Sequence, residues 1–359
     1  MKKIRILLSF CIIILLSACK NDEVNDTLQS EISKFNNPYE ALVKLEDAIL
    51  KLSVEPSFVK LVHNEVEKKF DGDYNGLIER INKSGETVYL KSANLLPEIE
   101  SIISYLNSKN LYPQIYIPKF DEINNSVTPE NKNGIYIINA FSLPDSVTRT
   151  TGLFVDNQGN IKKTDFLIDE EFATKNEVWV LSFNERMNQD FEKFGENKSA
   201  RVGTKSEYLI KINCVDLNAI EGWLKGAPEL RCVMKSAKGE ITDQYFFPGS
   251  RKSIGNAWWY PNGSTGRYLY YWDIETYTKT VLFYWIEEDD SGSTVTTSGS
   301  FVYKDIDKNT GLEFTATTAY QISYKSDDKP CGSISLHIDD GRVGEEYNTG
   351  LIRFTDDYK

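Results

Sequence analysis

Thr280-Val281-Leu282-Phe283-Tyr284-Trp285-Ile286-Glu287-Glu288-Asp289-Asp290-Ser291-Gly292 is the stretch that decides the fold of the second half of the chain. From Val281 to Ile286 every residue is apolar or aromatic. Side chains along a strand alternate between faces, so Phe283 and Trp285 share one face while Leu282, Tyr284 and Ile286 share the other. A strand apolar on both faces is buried on both. The acids that follow, closed by Ser291-Gly292, read as a solvated hairpin loop.

Working outward, residues 208–212, 229–234, 268–272, 294–303, 313–324, 333–338 and 351–354 have the same strand-forming composition. Lys238-Gly239, Asn262-Gly263 and Asp340-Gly341 supply turns between them. Strands and turns at this density predict an antiparallel β-sandwich over 207–359. Residues 189–206 are polar and poor in large apolar side chains, as a linker is. Before them, Ala41, Leu42, Leu45, Ala48, Ile49 and Leu52 recur at the 3–4 spacing of a helix face. The spacing resumes at Phe58, Leu61, Val62, Val66 and Phe70, and again from Leu95 to Leu106. Short β-branched runs at 114–118, 135–138, 152–155 and 178–181 come next. Helices followed by a small sheet make 37–188 an α+β domain. The expected fold is therefore an α+β N-terminal domain followed by an all-β antiparallel sandwich.

The first residues carry a different message. Lys2, Lys3 and Arg5 precede an apolar run from Ile6 to Leu16 broken only by Ser9. This is the pattern of a secretory signal peptide over 1–18. Its eleven residues would cover roughly 17 Å as a helix, short of a hydrocarbon core of about 30 Å. Leu16-Ser17-Ala18-Cys19 resembles the lipobox of bacterial lipoproteins, in which the cysteine is acylated and becomes the first mature residue. That resemblance implies a lipidated Cys19, a tether over 19–36, and the membrane as a partner through the anchor. The acid-rich run Lys20-Asn21-Asp22-Glu23-Val24-Asn25-Asp26 is similar to the export signal of Bacteroidetes-type surface lipoproteins. It implies the outer membrane, facing the cell exterior. Trp223-Leu224-Lys225-Gly226-Ala227-Pro228-Glu229-Leu230-Arg231, with the later 285–292 run, resembles the uncharacterised C2-like β-sandwich domains of secreted bacterial proteins.

Loss of Lys2, Lys3 and Arg5 would take the net charge from −12 to −15, which repels nucleic acid and excludes it as a partner. Cys214, Cys232 and Cys331 sit in strand-like contexts and read as small core residues, with one disulfide among them left open.

Catalytic signals are sparse. His63 and His337, the two histidines, fall in different predicted domains, and no HExxH, nucleophile elbow or phosphate loop occurs. Asp71-Gly72-Asp73-Tyr74-Asn75-Gly76 places oxygen ligands at positions 1, 3 and 5 of an EF-hand-like loop, with glycine at 6. Position 12 is Asn82 instead of a bidentate glutamate. The alternative is a glycine helix stop and an aspartate cap. Glu287, Asp289 and Asp290 form a second calcium candidate, since C2-like loops hold calcium between carboxylates. Asp339-Asp340, Glu345-Glu346 and Asp356-Asp357 are further acid pairs in predicted loops. Trp258, Trp259 and Tyr260 lie near a loop, where adjacent rings cannot all point inward, and are the candidate ligand-binding residues. The leading expectation is a non-catalytic binding or scaffold module meeting a glycan or protein at the cell surface. The alternative is an extracellular carboxylate-dependent hydrolase acting on glycans.

Overall fold

The computed structural model describes residues 35–359 except 87, 89, 127–133, 145, 189–204, 256, 290–291 and 341–343. The leader, Cys19, most of the tether, most of the linker and Asp290 lie outside the described residues. Among the described residues, no helix is long and apolar enough to cross a membrane.

The first domain opens with helix α1, Pro38–Leu52, whose N-terminus is closed by Asn37: its Oδ1 accepts from Glu40 N at 3.0 Å. The predicted stripe from Ala41 to Leu52 is buried. Helices α2 (Pro56–Val66), α3 (Ile78–Gly85) and α4 (Leu96–Asn107) complete one layer. Phe35 also belongs to this core, its ring tilted against Tyr105, so the fold begins within the expected tether.

Behind the helices lies a six-stranded sheet. Its strands are β1 (Asn75–Leu77), β2 (Pro113–Tyr116), β3 (Tyr136–Asn139), β5 (Leu153–Val155), β6 (Ile161–Lys163) and β8 (Val178–Phe183), in the order β1-β2-β8-β3-β5-β6. A two-stranded piece, β4 (Arg149–Thr150) with β7 (Ile168–Asp169), stands beside it. Asp156 to Asn160 turns β5 into β6, a strand of exposed Ile161, Lys162 and Lys163 that its polarity hid from the sequence. β3 and β8 run parallel; the other pairs are antiparallel.

Alternation divides this sheet's side chains cleanly. Ile115, Ile117, Ile137, Trp179 and Leu181 pack against the helices. Tyr116, Ile138, Val178 and Val180 point the other way and need a second cover. The second domain provides much of it, through Trp223 and Leu224. Burying a tryptophan removes about 200 Å² from water, an upper estimate of roughly 5 kcal/mol.

The second domain is a sandwich of two four-stranded sheets. One has the order β11-β10-β14-β17, from β10 (Leu230–Ser236), β11 (Gly239–Phe246), β14 (Thr280–Glu287) and β17 (Lys329–His337). The other is β13-β9-β19-β18, from β9 (Ser206–Cys214), β13 (Arg267–Tyr271), β18 (Tyr347–Asn348) and β19 (Ile352–Tyr358). A short β12 (Pro261–Ser264) flanks β9. Between the sheets, Phe283 stacks on Phe354 at 5.7 Å and Trp285 meets the same ring at 5.5 Å. β15 (Thr294–Ile306) and β16 (Glu313–Lys325) form a separate long ribbon. Tyr320, Ile322 and Tyr324 of this ribbon lie over Val233, Tyr284 and Ile286. The two-sided burial expected of β14 thus has a physical cause, the second core on one face and the ribbon on the other. Cys214, Cys232 and Cys331 are buried free thiols.

Candidate metal centre

The EF-hand-like segment directs its carboxylates to hydrogen-bond donors. Asp71, Asp73 and Asn75 are buried at the junction of the two domains. Asp73 Oδ2 accepts from Ala227 N at 2.7 Å, across the junction, while its Oδ1 accepts from Tyr74 N at 2.8 Å. Asp71 Oδ2 accepts from Asn75 Nδ2 at 2.9 Å and Asn184 Nδ2 at 2.7 Å. Asn82, at the twelfth position, donates to Leu96 O instead of turning to the loop. The carboxylates expected to face an ion are taken up by hydrogen bonds, those of Asp71 within the first domain and that of Asp73 across to the second, while Asn75 donates to Asp71. Gly226 belongs to this contact. Its φ is +112°, and a Cβ there would sit 2.8 Å from Asp73 Oδ2.

The segment resembling a C2-like entry is the other half of the junction. Trp223 Nε1 donates to Thr148 O at 2.8 Å, and Lys225 Nζ pairs with Glu185 Oε1 at 3.1 Å. Arg251, in the short helix Arg251–Gly255, donates to the carbonyls of Glu221, Gly222 and Gly226, so a side chain from outside the loop holds its backbone.

Beside this junction the chain gathers carboxylates of which the sequence pattern had linked only Glu287 and Asp289. Glu185 follows β8 in the first domain; Glu221, Glu229, Glu287 and Asp289 come from the sandwich. Single oxygens of Glu185, Glu221 and Glu229 all lie within 4.8 Å of one another. Glu221 and Glu287 are 1% and 0% exposed, and neither has a hydrogen-bond partner on either oxygen. Burial raises both carboxyls well above the usual carboxylate range. Neighbouring charge adds to this, Glu229 and Glu185 for Glu221, and Glu221 and Asp289 for Glu287.

The sequence reading puts Glu287 and Asp289 in a solvated hairpin loop; Asp289 does lie beyond the strand but is buried, and the placement of Glu287 is corrected. Glu287 is the last residue of β14, on the inward face after Val281, Phe283 and Trp285. The parity was readable in the sequence; the acidic character of the run concealed it. Asp356, also assigned to a loop, is buried in β19.

Other candidates are chemically quieter. Glu313, His337 and Asp339 converge near the surface, but Lys279 Nζ bonds Glu313 at 2.7 Å and Asp339 at 3.3 Å, filling the cationic position. Trp258 lies under Lys211 Nζ at 4.1 Å and Arg353 at 5.3 Å, Trp259 packs on the sandwich core, and Tyr260 is 47% exposed. Only Tyr260 of the three offers a largely open ring. His63 Nε2 meets Glu177 Oε1 at 2.6 Å in a groove of about 960 Å³, and Trp179 Nε1 donates to the same oxygen at 2.7 Å. The imidazole otherwise touches the Phe120 ring, so the pair has a base and an orienting acid, and among the described residues no nucleophile is bonded to it.

The fold defines an α+β domain carrying a β-sandwich-rich domain on the second face of its sheet. No protein-family model, curated protein or solved structure matches the chain.

Proposed function

We propose that this chain is a bacterial outer-membrane lipoprotein, anchored through Cys19 and facing the cell exterior, whose folded part is a non-catalytic binding or scaffold module. The leader, Leu16-Ser17-Ala18-Cys19 and the acid-rich tether support the anchor and its address. The scaffold reading rests on one observation: Trp223 and Leu224 of the sandwich complete the core beneath the first domain's sheet. A junction built as core ties the two domains into a single body, as a scaffold that holds a partner at a fixed distance from the membrane requires. Tyr260, beside the cation-covered Trp258, is the proposed contact with a glycan or protein.

The competing reading, a carboxylate-dependent hydrolase acting on glycans, needs two acids about 5–9 Å apart facing an open cleft. Glu221 and Glu287 face a closed interior, where a sugar ring has no entry.

Two measurements test the proposal. Labelling of cells with an alkynyl palmitate should mark the wild-type chain and leave Cys19→Ala unmarked, and trypsin added to intact cells should remove the folded part. An unlabelled wild type, or a chain protected until the cells are broken, would end the anchor and surface readings. On a glycan array, binding that falls with Tyr260→Ala supports the contact; hydrolysis of an arrayed glycan would replace the module by an enzyme.

A further inference from the structure

We propose that Glu185, Glu221, Glu229, Glu287 and Asp289 bind one calcium ion at the junction of the two domains. This site uses neither Cys19 nor Tyr260, so it holds or fails independently of the function proposed above.

Two observations carry it. The first is geometric: oxygens of Glu185, Glu221 and Glu229 lie within 4.8 Å of one another. Ligands about 2.4 Å from a calcium ion are separated by at most about 4.8 Å, so the three fit one coordination sphere. The second is independent of clustering. All four oxygens of Glu221 and Glu287 are buried without a hydrogen bond. Buried carboxylates are otherwise found paired, hydrogen-bonded or ligating a metal. Asp71 and Asp73, equally buried a short way along the same junction, show how this protein satisfies a carboxylate when it means to: with backbone and amide donors.

The donor set selects the ion. Every group is a carboxylate, and five can give the six to eight hard oxygens that calcium takes when some bind through both atoms. Neither histidine nor cysteine is among them, which disfavours zinc. Magnesium demands a smaller octahedral shell and keeps its waters, for which a dry interior leaves little provision. Arg251 is turned away from the acids, donating to backbone carbonyls and Asn218, and Lys225 pairs with Glu185 at 3.1 Å at the rim of the cluster. Because Glu185 comes from the first domain and the other four from the second, the bound ion joins them.

The test uses the full chain in detergent, stripped with a chelator and dialysed. Calorimetric titration with calcium chloride should show one saturable site per chain, and the melting temperature should rise by several degrees with calcium and by less with equimolar magnesium. The double variant Glu221→Gln/Glu287→Gln should lose the site. Glu185→Gln, altering a partly exposed residue on the first domain, should stay folded by circular dichroism and bind at least tenfold more weakly. Asp71→Asn should bind as wild type does. No saturable binding by the wild type up to 10-fold above about 1 mM, the weak end of extracellular calcium modules, would overturn the proposal. So would binding unchanged in Glu185→Gln and in the double variant, or binding abolished by Asp71→Asn alone.

Discussion

Two sets of acids lie buried along the same domain junction, and the protein treats them in opposite ways. Asp71 and Asp73 receive hydrogen bonds from Ala227 N, Tyr74 N, Asn75 and Asn184. Glu221 and Glu287 receive none. Burial alone therefore says little about an acidic side chain; its donors decide whether it is structure or site. A carboxylate held by donors is stabilising where it stands, and deleting it orphans buried N–H groups. One without donors is destabilising until something positive arrives.

The contrast can be broken by experiment, beginning with the contact both sets share. Trp223→Ala should have the largest effect, about 3–5 kcal/mol of stability lost in urea denaturation, because it opens a cavity under the sheet and removes the bond to Thr148. A loss below about 1 kcal/mol would mean that the domains do not share a core. Asp73→Ala should cost about 2–3 kcal/mol by leaving the Ala227 and Tyr74 amides without their acceptor. Gly226→Ala should cost about 1–2 kcal/mol, through its positive φ and the approach of the new methyl to Asp73; the double variant with Asp73→Ala should cost less than the sum, a coupling visible in a mutant cycle. The sharpest contrast comes with chelator present: Glu287→Gln should be neutral or stabilising by about 1 kcal/mol, opposite in sign to Asp73→Ala. Equal destabilisation by the two would erase the distinction. Smallest of all, Tyr260→Ala should change stability by under about 0.5 kcal/mol, since its ring is largely in water.

Much of the architecture was legible because local patterns and global burial agree. The stripe from Ala41 to Leu52 has one helical reading, and the apolar run from Val281 to Ile286 has one strand reading. The ribbon strands were recognised, although what they cover was not: alternation tells which face is apolar and is silent about which element meets it. The same silence hid the junction. Trp223-Leu224 reads as any buried pair, and nothing in its composition says that its partners are Tyr116, Ile138 and Val180 of another domain. Glu185 and Glu221 are single glutamates far apart in sequence, brought together by tertiary structure alone. Asp71-Gly72-Asp73 matched a ligand spacing that the fold uses for hydrogen bonds, since spacing constrains the backbone and leaves the orientation of each carboxylate to its surroundings.

Cys214, Cys232 and Cys331 give the molecule an internal reporter of its own opening. Burial pushes the Cys331 thiol up to about 12 and raises Cys214 and Cys232 as well, so the reactive thiolate is scarce while the sandwich is closed. An alkylating reagent would react at a rate set by how often the sheets part, and three sulfurs on β9, β10 and β17 would time that parting in both halves of the sandwich at once.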